Sequence, residues 1–174
     1  MEPVHEFSVT ASPDRCLLEI YDADAYLGDD QAWEESRRSV VAGNGYHLYL
    51  HSLQPRIPVR ISIRIWEQKP PPPSADAEGH TAISLDSATG LLVISQLTLG
   101  PAGEMTLPQP GVYVGNAWWS GRQAASKYYD EVLEQLSDWT LQQISDAWSA
   151  CPAEERYVLD LCYTRPSPEE EEDD

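Results

Sequence analysis

Between Val59 and Ile65 the chain commits itself to a pleated sheet. Val59, Ile61, Ile63 and Ile65 alternate with Arg60, Ser62 and Arg64. Successive side chains of a strand point to opposite faces, so this period of two describes a half-buried strand with a solvated basic face. The same alternation recurs along the first two-thirds of the chain. In Cys16–Tyr21 the positions Cys16, Leu18 and Ile20 face a core, and Tyr46, Leu48 and Leu50 alternate with His47, Tyr49 and His51. Four prolines at 70–73 make a stiff exposed loop, after which pattern resumes at once. Residues 80–86 and 91–96 read as a hairpin about Ser87-Ala88-Thr89-Gly90, with Ile83 and Leu85 on one arm meeting Leu92 and Ile94 on the other. A further strand begins at Gly111 and runs into Trp118 and Trp119. Strand following strand at short spacing predicts a mainly β fold, an antiparallel two-sheet β-sandwich. Its core should hold Val59, Ile61, Ile63, Ile65, Leu92, Ile94, Leu159 and Leu161.

The period then changes. From about residue 123 to 150 there is neither Pro nor Gly, and Tyr129, Val132, Leu133, Leu136, Trp139, Ile144 and Trp148 largely follow helical spacing. Tyr157, Leu159, Leu161 and Tyr163 restore the alternation. The helical stretch 123–150, one long helix or two shorter ones broken near Ser137-Asp138, is therefore expected as an insertion in a hairpin before the last strand. Residues 1–165 are expected to form one domain and 166–174 a disordered acidic tail.

With 174 residues the chain can bury a core without metal or disulfide staples. Its three cysteines, Cys16, Cys151 and Cys162, cannot all pair with one another and lack the spacing of a zinc site. No apolar run approaches the ~20 residues of a membrane span, and Met-Glu-Pro-Val-His-Glu is not a secretory signal. The expected location is the cytoplasm. The formal charge is −18, and removing the six acidic residues Glu169 to Asp174 still leaves −12. Such a chain is repelled by nucleic acid and anionic membranes, so a partner recognised through charge is a basic protein. The other reading of the charge is solubility alone.

Catalytic chemistry finds little purchase. His5, His47, His51 and His80 lie in different segments, and His47 and His51 on one strand would stand roughly 13 Å apart, too far to share an ion. There is no nucleophile elbow and no glycine-rich phosphate loop. The reading is a protein that is not an enzyme, with no cofactor and no metal. Two other features stand out. Residues 22–35 carry Asp22, Asp24, Asp29, Asp30, Glu34 and Glu35 with no basic residue among them, and Trp33 beside the carboxylates. This segment is either a solvated connection whose Asp residues cap turns or an acidic lip that meets a basic partner through Asp22, Asp24, Asp29, Asp30, Trp33 and Glu34. An alternative site is an aromatic ligand groove, one for carbohydrate included, lined by Trp118, Trp119, Trp139 and Trp148. Trp118 and Trp119 are adjacent on a strand, so at most one of them lies in the core.

Several segments together carry a resemblance. Val40-Val41-Ala42-Gly43-Asn44-Gly45 precedes a strand; Val59-Arg60-Ile61-Ser62-Ile63, Gly90-Leu91-Leu92-Val93-Ile94 and Leu107-Pro108-Gln109-Pro110-Gly111-Val112-Tyr113 follow, and Arg156-Tyr157-Val158-Leu159-Asp160-Leu161 closes the order. This order resembles the small β-sandwich proteins similar to the competence-associated DNA-entry nuclease inhibitor and their bacterial relatives. The resemblance covers most of residues 5–165, and the helical stretch 123–150 departs from the short loop expected there. It implies an inhibitor, immunity protein or antitoxin that neutralises a basic nuclease or toxin through an acidic surface, and it supplies no catalytic residue to carry over.

Overall fold

The computed structural model describes residues 2–168; residues 169–174 of the expected tail lie outside them. Strands β1 (His5–Ala11), β5 (Val59–Trp66), β6 (Gly79–Ser87), β9 (Gly111–Ser120) and β10 (Arg156–Arg165) form one sheet in the order β1-β5-β10-β9-β6. Strands β2 (Leu17–Asp22), β3 (Val41–Gly43), β4 (His47–His51), β7 (Leu91–Ser95) and β8 (Pro101–Thr106) form the second in the order β3-β4-β2-β7-β8. Their inner faces share one core. Val59, Ile61, Ile63 and Ile65 of β5 and Leu159 and Leu161 of β10 face Leu18, Ile20, Leu48, Leu50, Leu92 and Ile94 of the second sheet, each at most 2% exposed. The period-two pattern thus predicts the core, because a slip of one residue would turn every one of these apolar groups into water. One pairing departs from the expected antiparallel scheme. β10 lies parallel to β5, with Arg156 opposite Arg60 and Cys162 opposite Trp66, because the last strand enters between β5 and β9.

The expected hairpin of residues 80–86 and 91–96 does not form. β6 pairs with β9, whereas β7 pairs with β2 and β8, so Ser87–Gly90 carries the chain from one sheet to the other. Ile83, Leu85, Leu92 and Ile94 share the core across the sandwich instead of along a ladder. A side chain from elsewhere decides this corner. Asp22 Oδ1 accepts bonds from Ser87 Oγ (2.5 Å), Thr89 Oγ1 (2.7 Å) and Thr89 N–H (3.1 Å). That carboxylate fixes the bend to the end of β2, which no local turn pattern reveals.

The insertion lies between two strands that pair with one another, Ser120 opposite Arg156. It comprises α2 (Arg122–Leu133) and α3 (Leu141–Ser149), with a 3-10 turn at Leu136–Asp138 between them. Gly121 leaves the sheet at φ 71°, where a Cβ would sit 2.0 Å from the Glu154 carbonyl oxygen. The helices hold to each other: Tyr128 Oη donates to the Ala147 carbonyl (2.6 Å), and Tyr129 stacks on Trp148 at 5.1 Å. Among the described residues no helix is long and apolar enough to cross a membrane.

Candidate partner-binding site

The acidic segment contains a helix that periodicity does not disclose, α1 (Asp30–Ser39). It buries only Ala32 and Ser36, one turn apart, so it has no apolar stripe to read. Its ends are nevertheless specified. Asp29 is the N-cap, its Oδ1 accepting from the Gln31 and Ala32 amides at 2.9 and 3.0 Å. Asp30 in the first turn and Arg37 and Arg38 in the last complement the helix dipole. The helix stops at Val40, whose φ of 70° is rare for a β-branched residue.

Three contacts dock α1 on the outer face of the second sheet. The Asp29 amide donates to Tyr49 Oη at 2.8 Å, and Asn44 Nδ2 donates to Asp29 Oδ2 at 3.1 Å. Gly28 permits the close approach, since a Cβ there would fall 2.7 Å from Tyr49 Oη. Leu17, Ala32 and Tyr49 form a second small apolar cluster beneath the helix. His47 and Tyr49 are consequently buried, although they alternate with the core positions Leu48 and Leu50. The His47 ring lies between Tyr21 and Tyr49, at 4.6 and 4.8 Å.

Beside α1 opens a cleft of about 290 Å³. Leu17, Tyr49 and Leu97 give it an apolar floor, Glu19 and Asp30 supply carboxylates, and Trp33 stands at its rim, 37% exposed. On the other flank of α1, Asp29, Glu34, Glu35, Arg38 and Asn44 line a shallower groove. The structure therefore gathers Asp29, Asp30, Trp33 and Glu34 on one short helix. Asp24 is exposed in the turn that precedes it.

Asp22 is different. It is 2% exposed and holds the corner described above, which removes it from any surface lip. Burial pushes its carboxyl up, but the bonds from Ser87, Thr89 and the Asp24 amide outweigh that and hold it below the usual range. Asp29, too, spends its carboxylate on the helix start. The Ala32 amide and the Asn44 side chain hold its carboxyl below the ordinary value.

The four tryptophans do not converge on one groove. Trp119 lies in the core, 8% exposed, whereas Trp118 lies on the opposite face of its sheet and is 3% exposed. Trp148 packs on Tyr129 within the insertion, and Trp139 lines a shallow depression with Tyr128 and Gln143. The reason is local, because neighbours on a strand point apart and the insertion folds onto itself.

Two buried polar networks escape a linear reading. Asp160, 1% exposed, accepts from Arg64 Nε (2.7 Å) and Nη2 (2.9 Å), Trp66 Nε1 (2.9 Å) and Trp118 Nε1 (3.0 Å). Arg64 and Asp160 become neighbours only through the parallel pairing of β5 with β10. At one end of the sandwich Glu155, 1% exposed, accepts from Tyr157 Oη and from Gln54 Nε2 (3.1 Å). Burial raises its carboxyl above the ordinary range, although Tyr157, Ser52, Gln54 and Arg122 pull the other way. Burial and the Glu155 charge likewise raise the Cys16 thiol, which keeps it protonated and a poor nucleophile. All three cysteines are free. Among the described residues no three His, Cys, Asp or Glu side chains are grouped to hold a metal.

Neither a protein-family model nor a curated protein matches the chain. Solved structures do. The crystal structure of ComJ, inhibitor of the DNA-degrading activity of NucA, from Bacillus subtilis, superposes with a TM-score of 0.59 at 11% identity, covering 94% of this chain and 98% of that one. The structure of the product of crocagin biosynthetic gene J gives a TM-score of 0.56 at 18% identity, covering 95% of this chain and 99% of that one. At these identities the likeness is one of fold, and most of this chain shares the fold of the nuclease inhibitor ComJ.

Proposed function

We propose that this protein is an inhibitor of the immunity-protein kind, which neutralises a basic nuclease or toxin by covering its nucleic-acid groove with the acidic face of α1. The observation that carries the reading is the helix itself, which presents Asp30, Trp33 and Glu34 to solvent from a docked, capped backbone. The ComJ fold and the charge of −18 support it. Asp24, Asp30 and Glu34 supply long-range attraction and Trp33 the packed anchor, while Asp22 and Asp29 maintain the shape of the surface. The protein acts without catalysis, in the reducing cytoplasm, where its cysteines stay free.

The experiment is nuclease inhibition and surface-based binding kinetics, with the partner recovered by affinity capture, across a salt series. The Debye length is about 8 Å at physiological ionic strength, so added salt should slow association steeply and leave dissociation nearly unchanged. Asp24→Asn, Asp30→Asn and Glu34→Gln together should reproduce that loss at low salt. Trp33→Ala should act on dissociation, and removal of Glu169 to Asp174 should matter little beside either. An association rate indifferent to salt, or full inhibition by the triple variant, overturns the reading.

A further inference from the structure

The cleft beside α1 has chemistry that the rest of the acidic surface lacks. Among the described residues most carboxylates are exposed to solvent. Glu19 is not: its side chain is 17% exposed and stands on an outer sheet face between Leu17 and Tyr21, directly opposite Tyr49. Among the described residues its one ion-pair-range neighbour is the buried His47, with Nε2 3.5 Å from Oε2, and no cation lies within that range of Asp30. Arg15 also lines the cleft without pairing with either carboxylate. A half-buried carboxylate over an apolar floor is costly to leave without a donor. Half-buried Glu19 and exposed Asp30, with Trp33 and Tyr49 in the same lining, suit one kind of visitor.

We infer that this cleft receives a single arginine side chain of the partner, its guanidinium held by Glu19 and Asp30 and its flat face laid against Trp33 and Tyr49. The inference rests on the inhibitor reading above and names the residue type which that surface captures. Three features favour arginine. The guanidinium is planar and offers five donors in a fork that two carboxylates can share. It is weakly hydrated and stacks on aromatic faces, which matches an apolar floor better than a strongly hydrated ammonium does. Trp33 already carries such a contact, since the Arg37 guanidinium lies 5.7 Å from its ring centroid. A volume of about 290 Å³ is room for one long side chain and not for a helix or strand.

The test uses the full chain, labelled with nitrogen-15, and three blocked amino acids as probes: N-acetyl-arginine methylamide, its lysine counterpart and its citrulline counterpart, which has the shape of arginine without the charge. The arginine probe should move the Trp33 indole N–H and the Leu17 and Tyr49 amides together. Citrulline should bind about tenfold more weakly, the loss of one charge-assisted contact. Glu19→Gln and Asp30→Asn should each weaken the arginine titration severalfold while leaving the rest of the spectrum in place. Equal titration by citrulline or lysine, shifts centred elsewhere, or unchanged binding by both variants overturns the arginine assignment. Nuclease inhibition by Glu19→Gln separates the two ideas. A variant that has lost the probe yet inhibits fully removes the arginine subsite and keeps the inhibitor. A wild-type chain that binds the probe but inhibits no nuclease keeps the cleft and removes the inhibitor.

Discussion

A single carboxylate, Asp22, ties two sheets together at one corner. Its Oδ1 gathers Ser87 and Thr89 from the bend between β6 and β7, and its Oδ2 accepts the Asp24 amide at 3.0 Å. Asp22→Ala should therefore cost about 1–3 kcal/mol in urea unfolding, the cost of leaving buried donors unpaired. Asp30→Asn and Glu34→Gln should move the midpoint far less, Asp30→Asn giving up only its exposed charge at the helix start. The pH dependence has a definite sign. The Asp22 carboxyl lies below its usual 3.8, so its contribution is complete above that value and is lost as pH falls through the lower folded-state value. Asp160 is a second buried carboxylate that gathers donors from distant strands. Asp160→Ala strands the Arg64 guanidinium and two indole N–H groups, and should cost about 3–5 kcal/mol in the same assay. Asp22 and Asp30 belong to one acidic run, and nothing local in sequence separates the structural one from the exposed one. The difference lies in Ser87 and Thr89, more than sixty residues away.

Among the elements, those announced by period were legible and those fixed by distant partners were not. β5 and β10 follow from the strict alternation of branched apolar residues, and the insertion from its abrupt change to helical spacing. The break between its helices falls at Leu136–Asp138, where the sequence places it. α1 stayed hidden because its buried side chains are an alanine and a serine, which carry no hydrophobic signal. Its cap, Asp29, and its terminal charges are visible in sequence, but with no apolar stripe beside them they equally suit an acidic connection. The corner at Ser87–Gly90 looks like a hairpin because its composition suits either a turn within one sheet or a crossing between two. For the candidate site, the residue types were legible, while the cleft that joins Asp30 and Trp33 to Glu19 required the fold. The insertion itself makes a prediction. β9 and β10 pair without it, so replacing residues 123–150 with Gly-Asn should leave a cooperatively unfolding sheet with a lower midpoint. Arg122 is kept because its Nε donates to the His51 carbonyl at 3.0 Å. The midpoint falls because Ala125 and Val132 are buried and their contacts go with the insertion. Circular dichroism without a folded sheet would make α2 part of the core.

At the scale of the whole molecule, two kinds of ionisable group pull stability in opposite directions along the pH axis. Asp22, Asp29 and Glu35 have depressed carboxyls, so protonation on the acid side removes their support. Glu155 does the reverse. Its folded-state carboxyl lies above the ordinary 4.5, so the folded chain holds a proton that the unfolded chain has already released. Stability then falls as pH rises from 4.5 through the raised value, and stays lower above it. His51 opposes this on part of the same range. Burial, with Arg122 and Arg37 nearby, holds its imidazole below 6.5, so its contribution is complete above 6.5 and declines as pH falls from there. A plain pH profile of the wild type mixes these terms with the mutual repulsion of a chain at −18. Glu155→Gln separates them, because the amide keeps the shape and does not ionise. Its glutamine nitrogen can donate to Tyr157 Oη, which in turn donates to the His51 carbonyl, at 3.4 Å in the native arrangement. The stability of Glu155→Gln minus that of the wild type should therefore grow as pH rises from 4.5 and then level off, with the His51 and surface terms common to both proteins. Urea unfolding of the pair at half-unit steps from pH 4 to 8 reads that difference directly. A flat difference would mean that Glu155 ionises as readily in the folded chain as in the unfolded one, and a falling one that Arg122 outweighs its burial.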